Sequence, residues 1–289
     1  MRVLLFTKKT LFERPRDRDP GLRELISIES PLLEEARRGH LETVRSRDQV
    51  REALRRLGID VVEAPHNFRV SDGRYDLVIV VGGDGTVLDA ARSIRATPVL
   101  GVNSSPSSSV GHFCATTARG LVAMLERIKK GLATPTPLTR IKVTVDKKEY
   151  RHPALNDVLF AHASPAATSR YTIETGQDRE DQKSSGVWVA TAAGSSAVIR
   201  AAGGALMDIS DRRLQYLVRE PFYRFGSGVS FRLTHGFVGP EGVTFVSRMV
   251  GGAVYLDGRK ASVNVFYGSK VQLTPDAAPL YIYLPCWKR

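Results

Sequence analysis

Gly82-Gly83-Asp84-Gly85-Thr86 sets one carboxylate among three glycines and a hydroxyl. An apolar run over 78–81 precedes it and a helical pattern follows. Glycines permit φ > 0 and let backbone N–H groups face an anion closely. A helix start adds unpaired N–H groups and a partial positive charge. These properties suit a phosphate, but a carboxylate would repel one. Asp84 makes chemical sense where it faces a hydroxyl that attacks a phosphoryl group, or a phosphate-bound Mg²⁺. A tight turn with Asp84 as helix N-cap is the plainer alternative, yet three glycines and a threonine exceed what a cap needs. Two known phosphate fingerprints do not fit. Counted from Gly83, the third small residue of G-x-G-x-x-G falls on Leu88, and G-x-x-x-x-G-K-[ST] is absent.

Two further stretches carry polar chemistry. Asn156-Asp157 opens an apolar strand, and an amide beside a carboxylate offers donors and acceptors suited to an adenine edge or ribose hydroxyls. A simple turn before a strand reads equally well there. In KSSGVWVATAAGSSAVIRAAGG (183–204) a strand runs into Gly194-Ser195-Ser196 and then a helix of small residues. This second glycine and hydroxyl turn could hold phosphates or ribose; the alternative is a capped helix packed closely through small residues. The histidines have no metal spacing, and His112, beside Phe113, is the one that could line a site.

The rest of the chain must position these groups. Its 289 residues suffice for two domains, and 42% hydrophobic with 25% charged residues is a core-forming, soluble composition. No apolar stretch approaches the ~18 residues of a membrane span, and MRVLLFTKKT reads as a first strand rather than a signal peptide. Cys114 and Cys286 match no metal or redox spacing, which fits two inert thiols in a reducing cytoplasm. The net charge of +12 suits anionic substrates carrying phosphates; no nucleic-acid motif or aromatic-basic stripe accompanies it.

In the first half, strands are predicted over 2–6, 59–64, 75–81 and 97–103, and helices over 48–57, 87–95 and 117–130. The near-continuous apolar run at 75–81 suggests a central parallel strand. Such alternation implies a doubly wound, Rossmann-like α/β layer. Residues 12–47, charged and holding Pro15, Pro20 and Pro31, read as a surface excursion with one or two short helices around 31–38. After TPTP (134–137) strands dominate, with a hairpin expected at Asp257-Gly258. The division is an α/β domain over 1–136 and a β-rich domain over 137–275, with the tail 276–289 returning to the first.

GGDGT, then GVN with Asn103, then the Asn-acid pair, then T-x-x-G-S-[ST]-A resembles the NAD kinase family over most of the chain. The resemblance is to its mitochondrial-type branch with related plant and bacterial members, in TKKTLFE, GVNSSPSSSVGHFC (101–114) and KSSGVWVATAAGSS. It implies that Asp84 is the catalytic aspartate. It places Gly82, Gly83, Gly85 and Thr86 along the phosphate path. It gives Asn103, Asn156, Asp157, Lys183, Ser185, Thr191, Gly194, Ser195, Ser196 and Ala197 to substrate binding. It further implies NAD and ATP as substrates, Mg²⁺ arriving with ATP and no protein metal site, and a cytoplasmic homodimer with no nucleic-acid or membrane partner. The phosphoryl donor (ATP or polyphosphate) and the choice between NAD and NADH stay open. The chain departs from the family pattern in three places: Ser185 stands where most members have Asp, Val198 where they have Tyr, and SSPSSSVGHFC replaces G-x-L-G-F-L. Two rivals share the glycine turn: a lipid or other alcohol kinase, and a non-catalytic dinucleotide sensor. The lack of an amphipathic membrane-facing segment opposes the first, and retention of Asp84 opposes the second.

Overall fold

A computed structural model of the chain describes residues 1–13, 19–64, 73–222, 231–258 and 261–285. Pro15, His66, Cys286 and Trp287 lie outside the described residues. The chain divides into two units, Met1–Pro137 with Tyr281–Arg289, and Leu138–Leu280.

The first unit is α/β. Its strands are β1 (Arg2–Thr7), β2 (Asp60–Glu63), β3 (Leu77–Gly82), β4 (Val99–Asn103) and β5 (Cys114–Thr117). They pair in parallel in the order β2-β1-β3-β4-β5. All six residues of β3 and all five of β4 are buried, so both faces of the sheet are covered. The helices are α1 (Pro20–Ser27), α2 (Glu34–Arg56), α3 (Asp84–Ala91) and α4 (Leu121–Lys129). Asp19 caps α1 by accepting from the Leu22 N–H, and Pro20 occupies its first turn, where no N–H is needed. Val50, Ala53 and Leu54 of α2 join Leu121 and Leu125 of α4 in one core against Val3, Leu5, Ile79 and Val102.

Three boundaries differ from the sequence expectation. Residues 34–56 form one 23-residue helix rather than short pieces near 31–38 and 48–57. Glu34 and Glu35 in its first turn and Arg55 and Arg56 in its last suit the helix dipole. The helix expected over 87–95 begins at Asp84 itself. The segment expected as a helix over 117–130 spends its start on the end of β5, and α4 begins only at Leu121.

The second unit is β-rich. In chain order it holds β6 (Thr136–Val145), β7 (Lys148–Glu149), β8 (Asp157–His162), β9 (Ser169–Thr175), β10 (Asp178–Ser184), β11 (Val187–Ala190), the one-turn α5 (Val198–Ala201), β12 (Leu214–Val218), β13 (His235–Val238), β14 (Val243–Ser247), β15 (Gly252–Leu256), β16 (Ala261–Val265) and β17 (Lys270–Tyr283). One sheet runs β13-β12-β11-β8-β15-β16, and β10, β9, β14, β17 and β6 pair in another. Val158, Phe160, Val189 and Val254 from the first meet Ile141, Ile173, Phe245 and Val271 from the second in a single core. Phe160 stacks on Phe245 with centroids 4.7 Å apart, and Tyr171 stands edge-on to both. The expected hairpin joins β15 to β16, with Asp257 and Gly258 at left-handed φ of 46° and 87°. The helix expected after Gly194-Ser195-Ser196 is only the single turn α5, preceded by a 3₁₀ turn over Ala193–Ser196. At the far end of β17, Ile282 and Tyr283, residues of the first unit, pair in parallel with Val99 and Leu100 of β4. Among the described residues no helix is long and apolar enough to cross a membrane.

Candidate active site

The glycine turn leaves the carboxyl end of β3, next to the point where the strand order reverses between β1 and β3. Open α/β sheets bind ligands at such a switch point. Gly83 is the N-cap of α3, without a side-chain cap, and Asp84 is the first helical residue, so the capping role is not its role here. The Phe113 N–H donates to Asp84 Oδ1 at 2.8 Å, which fixes the orientation of the carboxylate. The glycines do not serve a left-handed backbone: Gly83 has φ −108°, and none of Gly82, Gly83 and Gly85 has positive φ. Close approach is the reason for two of them. A Cβ on Gly82 would sit 2.3 Å from Thr86 Oγ1, and one on Gly83 would sit 2.5 Å from Ser109 Oγ. Nothing lies within 4 Å of a Cβ on Gly85, an exposed position with room beside it.

Asn103 ends β4 opposite Gly82. Its side chain donates to Ser109 O at 2.9 Å and accepts from the Ser105 N–H at 3.1 Å. Asn103 therefore shapes the serine loop that stands beside Gly83. The same loop is fastened to α2. The Ser105 and Ser107 hydroxyls each donate to Glu42 Oε2 at 2.6 Å, and the Ser46 hydroxyl donates to Ser104 O at 2.9 Å. Burial works to raise the Glu42 carboxyl, but the two serine hydrogen bonds outweigh it and hold it below its usual range. This gives Glu42 and Ser46 a task the sequence did not reveal. Between α2 and the loop lies a groove of about 790 Å³, lined by Arg37, Arg38, Arg45 and Arg119 together with Glu34 and Glu42. Its positive balance suits anionic ligands. Behind the turn, Cys114 is buried, and burial with the nearby Asp84 charge pushes its thiol up to about 12, an inert thiol.

In the second unit, Thr191 and Gly194 enclose the Asn156 turn. The Thr191 N–H donates to Asn156 O at 2.9 Å, its hydroxyl donates to Leu155 O at 2.6 Å, and the Gly194 N–H donates to the Thr191 oxygen at 3.2 Å. Asn156 Oδ1 is buried and accepts no hydrogen bond among the described residues, so it is set for a donor from elsewhere. Ser195 turns inward: its hydroxyl donates to Ala192 O and accepts from the Met207 N–H. That is a structural duty rather than a ligand contact. Ser196 is exposed and Ala197 half-buried beside it. Lys183 and Ser185 are not part of this network. Lys183 is exposed on β10 opposite Arg170. Ser185 lines a separate pocket of about 370 Å³ with His162, Trp188, Arg219 and Tyr255. There Arg219 Nη1 donates to Ser185 O at 3.3 Å, and its guanidinium lies 5.8 Å from the Trp188 ring centroid.

Burial and the neighbouring Asp257 charge push the Asp157 carboxyl up to about 7. The folded chain thus holds this proton more tightly than the unfolded chain does. Stability therefore falls as pH rises, from the unfolded carboxylate range near ~4 up to about 7. Asp157→Asn is expected to raise the melting temperature by several degrees at about pH 8 and by less at about pH 4. Thermal denaturation at both values checks this; an equal shift at both would deny the raised acid.

The chain matches the ATP-NAD kinase N-terminal domain family over residues 35–133. It is 34% identical over 277 residues to a "Probable NADH kinase" of Oryza sativa subsp. japonica, covering 88% of this chain and 84% of that one. An Arabidopsis thaliana "NADH kinase" is 34% identical over 249 residues, covering 72% and 73%. In fold the chain is similar to an NAD kinase from Archaeoglobus fulgidus crystallised with ATP, with TM-score 0.70 and 19% identity over 100% of this chain and 95% of that one. It is also similar to yeast NADH kinase crystallised with NADH, with TM-score 0.69 and 14% identity over 97% and 79%. An α/β unit carrying an acid-bearing glycine turn, followed by a β-rich unit, makes this chain a kinase, a phosphotransferase. It belongs to the NAD kinase family.

Proposed function

We propose that the protein phosphorylates the adenosine-ribose 2′-hydroxyl of NAD or NADH with ATP, giving ADP and NADP(H). The observation that carries this is the Asp84 carboxylate, held by the Phe113 N–H at the carboxyl edge of the sheet. Asp84 accepts the 2′-hydroxyl proton as the new oxygen–phosphorus bond forms and the bond from the γ-phosphorus to its bridging oxygen breaks. A sugar hydroxyl is a very weak acid, so the proton leaves late and positioning contributes most. Gly82, Gly83, Gly85 and Thr86 line the phosphate path, and Asn103 sets the serine loop beside them. Asn156, Asp157, Thr191 and Gly194 hold the dinucleotide, with Lys183, Ser196 and Ala197 at its margin. No cluster of three metal-ligating side chains occurs among the described residues. Mg²⁺ arriving with ATP would be held mainly by the phosphates and would supply neutralisation of charge there. Asp84 is the residue that would approach it. A cytoplasmic homodimer completes the reading. The direct test is purified protein with ATP-Mg²⁺ and either dinucleotide, following NADP(H); no product from either would end the proposal.

Two plant relatives of the chain carry the names "Probable NADH kinase" and "NADH kinase", and Ser185 stands where most of the family has an acid. An acid near the ring would favour the cationic nicotinamide of NAD by a term on the order of 1 kcal/mol, roughly fivefold. This chain places a hydroxyl there, with the Arg219 cation bonded to the Ser185 carbonyl. Discrimination between NAD and NADH is therefore expected to be weak. Ser185→Asp is expected to move the kcat/KM ratio towards NAD by roughly fivefold at most, because Arg219 offsets part of the new charge. Measuring both ratios decides it; an unchanged ratio means the position does not sense the nicotinamide.

A further inference from the structure

We propose that Asp257 is a positioning residue for dinucleotide binding: its carboxylate gathers three backbone N–H groups and so sets where Asn156 and Asp157 are presented. This rests on the reading that the Asn156-Asp157 pair holds the dinucleotide.

Asp257 lies 100 residues downstream, in the turn after β15. Its Oδ2 accepts from the Leu155 N–H at 2.9 Å, and its Oδ1 accepts from the Asn156 and Asp157 N–H groups at 2.7 and 3.2 Å. In return the Asp257 N–H donates to Asp157 O at 3.0 Å. Three N–H groups of the turn before β8 are thus gathered by one carboxylate from outside its own segment, while the Thr191 hydroxyl donates to a carbonyl of the same turn. A hairpin turn at φ 46° needs no carboxylate; glycine or asparagine serves it. The Asp257 charge also faces the buried Asp157 carboxyl and, with burial, raises it. A residue that a simple turn does not need, and that opposes its neighbour electrostatically, is explained by the three N–H groups it collects. Backbone N–H groups bonded to a carboxylate are held more firmly than by a neutral acceptor. The unpartnered Asn156 Oδ1 and the Asn156 carbonyl that receives Thr191 ride on this clamp.

Asp257→Asn keeps the turn and one acceptor; Asp257→Gly keeps the turn and removes the clamp. Steady-state kinetics should show KM for the dinucleotide raised about tenfold in the Asn variant and further in the Gly variant, with kcat within about threefold. A protein weakened only in fold would lose active fraction, and with it kcat, rather than affinity. If Asp257→Gly fails to fold, the Asn variant carries the test alone. A folded Asp257→Asn protein with wild-type KM overturns the proposal. Asn156→Ala separates the two ideas. Raised KM there with normal KM in the Asp257 variants defeats the clamp alone, whereas normal KM in Asn156→Ala defeats the binding reading and the clamp with it.

Discussion

Asp84→Asn should lower kcat by about a thousandfold, within the range that loss of a general base produces, while dinucleotide affinity changes no more than a few-fold. The substitution is nearly isosteric. The amide oxygen can still accept from the Phe113 N–H, so the turn and α3 should keep their geometry. What disappears is the negative charge and the basic oxygen facing the hydroxyl. Because the proton leaves late, the loss falls on the transition state rather than on ground-state binding. Turnover assayed by NADP(H) formation, beside dinucleotide affinity by calorimetry, tests both halves. A variant with near-normal turnover would remove Asp84 from the chemistry.

The Asp84 turn was legible in the sequence because it is local. A buried strand, three glycines and a helix start are adjacent, so their geometry follows from neighbouring residues alone. The same holds for the two layers, since strand and helix periodicities change after residue 137. Other parts escaped because their reason lies far along the chain. The sequence pattern of α2 is broken because its buried face includes the polar Thr43 and Ser46 where an apolar stripe would continue. Ser46 is polar because it bonds Ser104, 58 residues away. The strand β10, DREDQKS, has no apolar residue to mark it; the positions it buries are Gln182 and Ser184, which reach the Tyr171 hydroxyl. Asp257 read as a hairpin residue because Asp-Gly suffices for a turn, and no local pattern reports a carboxylate that serves a loop 100 residues earlier. The glycines of the Asp84 turn suggest positive φ or close approach of an anion, whereas the atoms that Gly82 and Gly83 accommodate are Thr86 and Ser109. A sequence shows that a side chain is missing, not which neighbour needs the space.

Gly194→Ala should be among the most damaging substitutions in the second unit, for the same kind of reason. The added Cβ would sit 2.0 Å from the Asn156 carbonyl oxygen and 2.5 Å from its carbon. These are backbone atoms, so no side-chain rotation relieves the contact. The carbonyl is also fixed by the Thr191 N–H, and the turn behind it by Asp257. Either the Asn156 turn or the Ala193–Ser196 turn must move, and both belong to the proposed dinucleotide site. Overpacking of this kind costs on the order of 3 kcal/mol, and displacement of Asn156 should raise KM for the dinucleotide by at least about tenfold. Gly85→Ala is the control. Its Cβ meets nothing within 4 Å and sits in the first turn of α3, where alanine favours the helix. That protein should melt no lower than wild type, so a fall in its activity would report a ligand approaching Gly85. Denaturant unfolding and dinucleotide KM on the two variants separate close backbone packing from a general preference for glycine. A Gly194→Ala protein with wild-type stability and KM would mean that the Asn156 turn yields freely, and that its position is not what binds the substrate.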